Sequence, residues 1–306
     1  MQSSSFDTLS FENSMSLKTI TYPLAAGIAV LSFSSALKAQ DAASSSKQVL
    51  TPWGYRDSAN VHEIPDGYEL AIMPDGHARM ENPITGDKVD FQKPAAAAVT
   101  PLPDNGWQTA ASWYNSGDTV SSFTTTWTVP PAPLNYDGQT LFQFNSIEPA
   151  SYDSILQPVL QYGGSAAGGG EYWAVASWYV TGSESFVSKL VQVKSGRSLT
   201  GAIKLLSQKN SLANYSCEFA GVTKSKLTVM NISPLVWLAE VLEVYSVDTC
   251  NDYPNTPFSE MSKIDVKIKN TTAPVTWGTS SGDPACGVTT TVVTQGGKNA
   301  AVDIYY

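Results

Sequence analysis

From Trp107 onward the chain is a succession of short runs rich in β-branched and aromatic residues, each ended by Gly, Pro or Asn. Phe123, Thr125, Trp127 and Val129 alternate with threonines until Pro130-Pro131 stops the run. Glu171–Val180 is aromatic and β-branched with no helical period. Phe186–Val193 and Leu199–Leu206 follow, split by the turn Lys194-Ser-Gly-Arg-Ser, and then come Leu227–Ile232 and Leu235–Tyr245. Ile264, Val266 and Ile268 alternate with Asp265, Lys267 and Lys269, the pattern of a half-exposed strand. Many short strands with turn residues between them predict an all-β, antiparallel sandwich or barrel, and the two-sheet sandwich is the architecture adopted here. A face of a curved sheet is then the default place for a binding groove.

The same punctuation divides the chain. Residues 106–270 read as the sandwich, and 271–306 either add edge strands or form a C-terminal β extension. Residues 40–105 read as a separate unit, either a propeptide or an accessory piece. It contains two Pro-Asp-Gly turns between Ile64 and Met80, which predict a small hairpin, and a linker from Lys93 to Asn105. Residues 1–39 have the form of a signal peptide: Lys18, an apolar run from Tyr22 to Leu37, and a cleavage site after Ala39, with Met15 as an alternative start. The mature chain is therefore expected to be secreted, extracellular, monomeric and free of membrane.

Composition narrows the function. Charged residues are 15 % of the chain and the formal net charge is -9, without clustered Lys or Arg, which argues against nucleic acid. The two histidines, His62 and His77, both precede residue 106, so a histidine metal site or a Ser–His pair in the main domain is not expected. No metal or organic cofactor is called for. Cys217, Cys250 and Cys286 allow one disulfide and one leftover thiol, and the sequence does not choose the pair. Asn214 and Asn270 begin possible glycan acceptor sequences. The glycine run Gly163–Gly170 lacks the Lys-Ser/Thr of a phosphate loop and is followed by a strand, so it reads as a hairpin connection.

Four segments in order carry a resemblance: Trp127-Thr-Val-Pro, Ile155-Leu-Gln157, the strand Trp173-Ala-Val-Ala-Ser-Trp178-Tyr179, and Trp237-Leu-Ala-Glu240. This order resembles the glutamic peptidases (the eqolisins, or G1 peptidases), over roughly residues 107–270. The resemblance implies a secreted acid endopeptidase on a concanavalin-like, jelly-roll sandwich, with a Gln from an ILQTG-like segment and a Glu from a WxxE-like strand as the catalytic pair. The family Gln falls on Gln157. The family Glu falls most simply on Glu240, and a one-residue gap moves the role to Glu243. Phe142 stands where the family has a Trp, Ser177 where it has an acidic residue, and Pro158 directly after Gln157. The chain is also similar to a broader group of secreted β-sandwich proteins with QPVLQYG- and ASWYV-like segments, for which the resemblance implies no chemistry.

The chemistry implied is coherent. A Glu in a partly apolar groove has its charged form disfavoured, so it can exchange a proton in mildly acidic medium. A Gln amide can donate to a developing oxyanion at any pH. Phe142, Tyr162, Trp173, Trp178 and Tyr179 are the expected lining for an extended polypeptide substrate. The other reading is a non-catalytic sandwich whose aromatics bind carbohydrate or another surface ligand. A glycosidase on the same architecture would need a second carboxylate opposite Glu240, and Glu148 and Asp153 read as residues of a solvated loop.

Overall fold

The computed structural model describes residues 47–92, 106–280 and 282–306. The expected signal peptide and the Lys93–Asn105 linker lie outside them. In chain order the strands are β1 (Gln48–Thr51), β2 (Gly54–Asp57), β3 (Val61–Glu63), β4 (Glu69–Ile72), β5 (Ala78–Glu81) and β6 (Lys88–Asp90). Then come β7 (Trp107–Tyr114), β8 (Val120–Thr128), β9 (Thr140–Pro149), β10 (Ser154–Ser165), β11 (Gly168–Thr181), β12 (Ser185–Val187), β13 (Val191–Gln192) and β14 (Ser198–Lys209). The last are β15 (Leu212–Phe219), β16 (Leu227–Ile232), β17 (Leu235–Tyr245), β18 (Phe258–Ile268), β19 (Thr271–Thr272), β20 (Gly278–Thr279), β21 (Thr289–Thr294) and β22 (Ala300–Tyr305).

These strands make a β-sandwich. The front sheet runs β20-β7-β17-β9-β10-β11-β12-β3, with β13 on β11. The back sheet runs β21-β22-β18-β8-β14-β15-β16-β4-β5-β6, with β19 on β18. Between them lies the main core, which includes Phe123, Trp127, Leu156, Leu160, Trp173, Ile203, Tyr215 and Leu238. Side chains alternate across a strand, so each front-sheet strand sends every second residue into this core and the rest to the outer face.

The outer face of the front sheet carries its own apolar layer: Phe142, Phe144, Ile155, Val159, Trp178 and Val241. Hence β9 is buried at every position, and β10 at all but its last two. The cover is the hairpin β1–β2, which pairs only with itself. Leu50 and Trp53 pack on the outer layer, and the Leu50 carbonyl accepts from the Ala166 N–H at 2.7 Å.

Residues 61–92 are built into the sandwich. Strand β3 runs parallel to β12 at one edge of the front sheet, and β4 runs parallel to β16 in the back sheet. Ile64, Leu70 and Ala78 sit in the main core. The expected hairpin is β4–β5, turning through Pro74-Asp-Gly76. At the other end β21 and β22 extend the back sheet beside β18. A disulfide joins Cys250 to Cys286, and Cys217 is a buried free thiol.

A candidate site under the hairpin

Register places the candidate residues in rows. Glu243 of β17 stands opposite Phe142 of β9, and Phe142 opposite Gln161 of β10. Gln157 is opposite Trp178 of β11. The pairings Leu156–Ile147 and Val159–Phe144 put Ser146 of β9 on its other side. All of these side chains belong to the outer face. Glu240, one odd step away from Glu243, belongs to the inner face: the Thr125 hydroxyl of β8, in the back sheet, donates to its Oε1.

Gln157 and Glu240 therefore do not meet, and the pair preferred from sequence is corrected. A three-residue step along a strand reverses the side from which a side chain emerges, and Glu240 is sealed between the sheets. Asn145 faces it across the β9–β17 ladder, and among the described residues neither the Asn145 side chain nor Glu240 Oε2 has a hydrogen-bond partner. Burial holds the Glu240 carboxyl well above the usual carboxylate range, against the pull of the Thr125 hydroxyl.

Glu243 is the carboxyl on the same face as Gln157. The two are still far apart: two strand spacings across, about 10 Å, and four residues along, about 13 Å. Gln161, unremarked from sequence, shares Glu243's row. A signal existed for it. Leu160-Gln161-Tyr162-Gly163 keeps a glycine two residues after its glutamine, as the family's ILQTG-like segment does, whereas Leu156-Gln157-Pro158-Val159 does not.

Glu243 is fully buried. Its Oε1 accepts from the Trp53 backbone N–H at 2.7 Å and from the Tyr245 hydroxyl at 2.6 Å. Burial pushes its pKa up to about 8, opposed by these donors, the Trp107 ring N–H and the nearby Arg56 guanidinium. Its Oε2 accepts no comparably well-formed hydrogen bond among the described residues. Gln161 is held rigidly at the hairpin end of β10–β11. Its Nε2 donates to the carbonyls of Gly163 and Gly168 at 2.7 and 2.9 Å, and the Ser165 hydroxyl donates to its Oε1 at 2.8 Å. This is what the glycine run does. Gly169 has φ of +113°, and a Cβ there would strike the Gln161 amide and the Gly163 carbonyl.

The next polar row is unsatisfied. Ser146 Oγ, both polar atoms of Gln157 and Trp178 Nε1 are buried side by side on three adjacent strands without partners among the described residues. Glu148, expected in a loop, lies in β9 two residues from Ser146 on the same face, diagonal to Gln157, and burial pushes its pKa up to about 8. Of the aromatics expected to line a groove, Phe142 and Trp178 are on this face. Tyr162, Trp173 and Tyr179 are not; they alternate inward and pack in the main core. Among the described residues no group of three or more His, Cys, Asp or Glu could hold a metal. Two open surface depressions, of about 470 and 580 Å³, lie away from both rows, one around Pro130, Gly196 and Lys263 and the other around Asp118, Leu206 and Pro234.

The fold and these rows define a class: a two-sheet β-sandwich with a carboxyl- and amide-bearing sheet face closed by its own N-terminal hairpin. No family model and no curated protein sequence matches the chain. Among solved structures it is similar to scytalidoglutamic peptidase in complex with a peptide-based transition-state analogue, at 13 % identity and TM-score 0.45, covering 65 % of this chain and 98 % of that one. It is also similar to SCP-B, a member of the eqolisin family of peptidases bound to the tripeptide Ala-Ile-His, at 11 % identity and TM-score 0.38, covering 65 % and 98 %. A third is the CBM2 module of the evolved Dit of Lactobacillus casei BL23 phage J-1, at 11 % identity and TM-score 0.29, covering 64 % and 79 %. The chemistry of the site rests on this chain's own residues.

Proposed function

We propose that the chain is a secreted acid peptide hydrolase of the glutamic type, working on the outer face of the front sheet with Glu243 as its acid–base group. One observation carries the reading. A stretch of the chain's own backbone already lies on this face and gives a peptide N–H, that of Trp53, to the Glu243 carboxyl. A general acid must protonate the leaving amine when a peptide bond breaks, and a carboxyl that accepts a backbone N–H of chain lying on this face is within reach of such a nitrogen. With its pKa near 8 the covered carboxyl keeps its proton at acid and neutral pH. Uncovering rehydrates it, which lowers the pKa and lets it act as a base toward water as well. Gln161, in the same row, has both amide hydrogens committed to the Gly163 and Gly168 carbonyls, so it positions the β10–β11 end of the face. The unsatisfied row of Ser146, Gln157 and Trp178 supplies donors and an acceptor for the backbone of a bound polypeptide. The Cys250–Cys286 disulfide supports the secreted part of the reading.

The test is cleavage of a denatured protein substrate at about pH 4 by material whose hairpin has been released. Glu243→Gln should abolish cleavage, Gln161→Ala should lower kcat, and Glu240→Gln should leave it. Full cleavage by Glu243→Gln removes this mechanism, and no cleavage by the parent removes the activity.

A second reading, a non-catalytic face that binds carbohydrate, has one observation in its favour. Tyr114, Tyr152, Trp237 and Trp107 form a continuous aromatic string with ring centroids 6.5, 5.8 and 5.7 Å apart, and Tyr114 and Tyr152 are exposed. Polysaccharide binding that is lost in Tyr152→Ala, with no cleavage by the released parent, would decide for it.

A further inference from the structure

As it stands, the face just assigned a function admits nothing. Phe142, Gln157, Trp178 and Glu243 are each 0 % exposed. The element that closes the face is attached quite differently from the residues that follow it. The β1–β2 hairpin adds no strand to either main sheet. It is held by the Trp53 N–H on Glu243, by the Leu50 carbonyl on the Ala166 N–H, by the Arg56 guanidinium on the Thr181 carbonyl at 3.3 Å, and by Leu50 and Trp53 on the outer apolar layer. Its turn is strained. Trp53 follows Pro52 in the Thr51–Gly54 turn with φ of +75°, a place where this turn type favours Gly. Such a conformation persists only when its surroundings impose it. From Val61 on, by contrast, the chain is integral: Ile64 bonds through its N–H to the Val187 carbonyl, and β3 and β4 complete two sheets.

The junction between plug and scaffold is the short 3₁₀ turn Ser58–Asn60, in which Ser58 and Ala59 are exposed. We infer that this turn is a processing site and that the β1–β2 hairpin is an intramolecular inhibitor, so that the chain described is a latent form. An endopeptidase acting in trans, with water as co-reactant, breaks one C–N bond in the turn. The water hydroxyl goes to the carbonyl carbon and its proton to the new amine. The hairpin is then held by noncovalent contacts alone, those named above and the edge of Tyr55 on the Tyr245 ring at 5.9 Å among them, and it leaves the face, while residues 61–92 remain. The cut therefore separates a removable cover from a permanent part of the fold. The inference gives a reason for the buried site and rests on the proposed function only for what the opened face then does.

A recognition sequence for a site-specific endopeptidase placed within Ser58–Asn60 of the full chain tests it. After the cut, the N-terminal fragment should separate on size exclusion in mild acid, the β circular dichroism should persist, and carbodiimide labelling of Glu243, read by peptide mass spectrometry, should rise about tenfold or more, as expected for a group no longer dependent on local opening. Retention of the fragment, or unfolding of the sandwich on the cut, overturns the inference. Trp53→Pro checks it without a cut. Proline supplies no N–H and cannot take a positive φ, so labelling of Glu243 should rise in the intact chain, and an unchanged rate overturns the inference. A fragment that leaves without any gain of peptide cleavage sinks the proposed activity and leaves the plug standing.

Discussion

Glu240 and Glu243 sit three residues apart on one strand, and the sheet separates them: Glu240 bonds to Thr125 of the back sheet and Glu243 to Trp53 of the covering hairpin. Both are buried and both are held above the usual carboxylate pKa by desolvation. What differs is what could ever reach them. Releasing the hairpin uncovers Glu243, whereas only unfolding uncovers Glu240.

This relation sets the pH dependence of stability. With Glu148 added, three buried carboxyls have folded-state pKa values above the unfolded one. Between the two pKa values the native state holds more protons than the unfolded state, so stability falls as pH rises. The loss should begin near the unfolded Glu value, about 4.3, and for Glu148 and Glu243 should run to about 8. The shift at Glu243 alone corresponds to at most about 5 kcal/mol. The intact chain should therefore have its highest Tm in mild acid and lose stability toward neutral pH. Glu243→Gln and Glu240→Gln should each flatten that decline. A Tm that rises from about pH 5 to 8 would show that these carboxyls ionise freely in the folded chain.

The strands were legible because their residues are β-branched, aromatic and bounded by turns, and the sandwich followed. The faces were not. Strand β9 and most of β10 are buried on both sides, so they read as continuous apolar runs that give no inside or outside. Tyr162, Trp173 and Tyr179 could be set on the groove face for that reason alone. The choice between Glu240 and Glu243 was open because a one-residue gap in the match moves the role from one to the other, and the strand that carries both is buried at nearly every position. What decides the face is a contact between Trp53 and Glu243, separated by 190 residues, and no local pattern carries that. Gln161 was legible in its glycine and was passed over for the earlier Leu-Gln.

The glycine run can be tested through Gly169. Its positive φ and the Gln161 amide beside it exclude a side chain. Gly169→Ala should cost about 2–3 kcal/mol, from backbone strain and from disruption of a buried amide's hydrogen bonds, measured by denaturant unfolding. Gly164→Ala, where a Cβ meets nothing within 4 Å, should cost far less and serves as the control. Equal costs at the two positions would mean that Gln161 is not held as described.

The Cys250–Cys286 disulfide ties the segment after β17 to the loop before β21 across 36 residues. Removing it as Cys250→Ser with Cys286→Ser should destabilise by about 3–4 kcal/mol on loop entropy. Cys217 lies in the main core with its thiol pKa pushed up by burial, so the native chain should show no thiol reactive with Ellman's reagent and the unfolded chain one. A thiol that reacts before unfolding would contradict the burial of Cys217.

The N-terminal region should divide sharply under truncation. A chain beginning at Val61 loses only the hairpin and what precedes it. It keeps every strand of both main sheets and should fold, with the apolar outer layer around Phe142 and Trp178 newly exposed and dye binding increased accordingly. A chain beginning at Trp107 also loses β3 to β6. It leaves the edges of β12 and β16 unpaired and takes Ile64, Leu70 and Ala78 out of the main core. Replacing a single large buried aliphatic side chain by alanine typically costs about 2–5 kcal/mol, which is of the order of a domain's net stability once several such residues are lost. The shorter chain should be insoluble or lack a cooperative melt. If instead it melts cooperatively at the parent's Tm, residues 61–92 are an accessory after all, and the line between cover and scaffold does not fall at the Ser58–Asn60 turn.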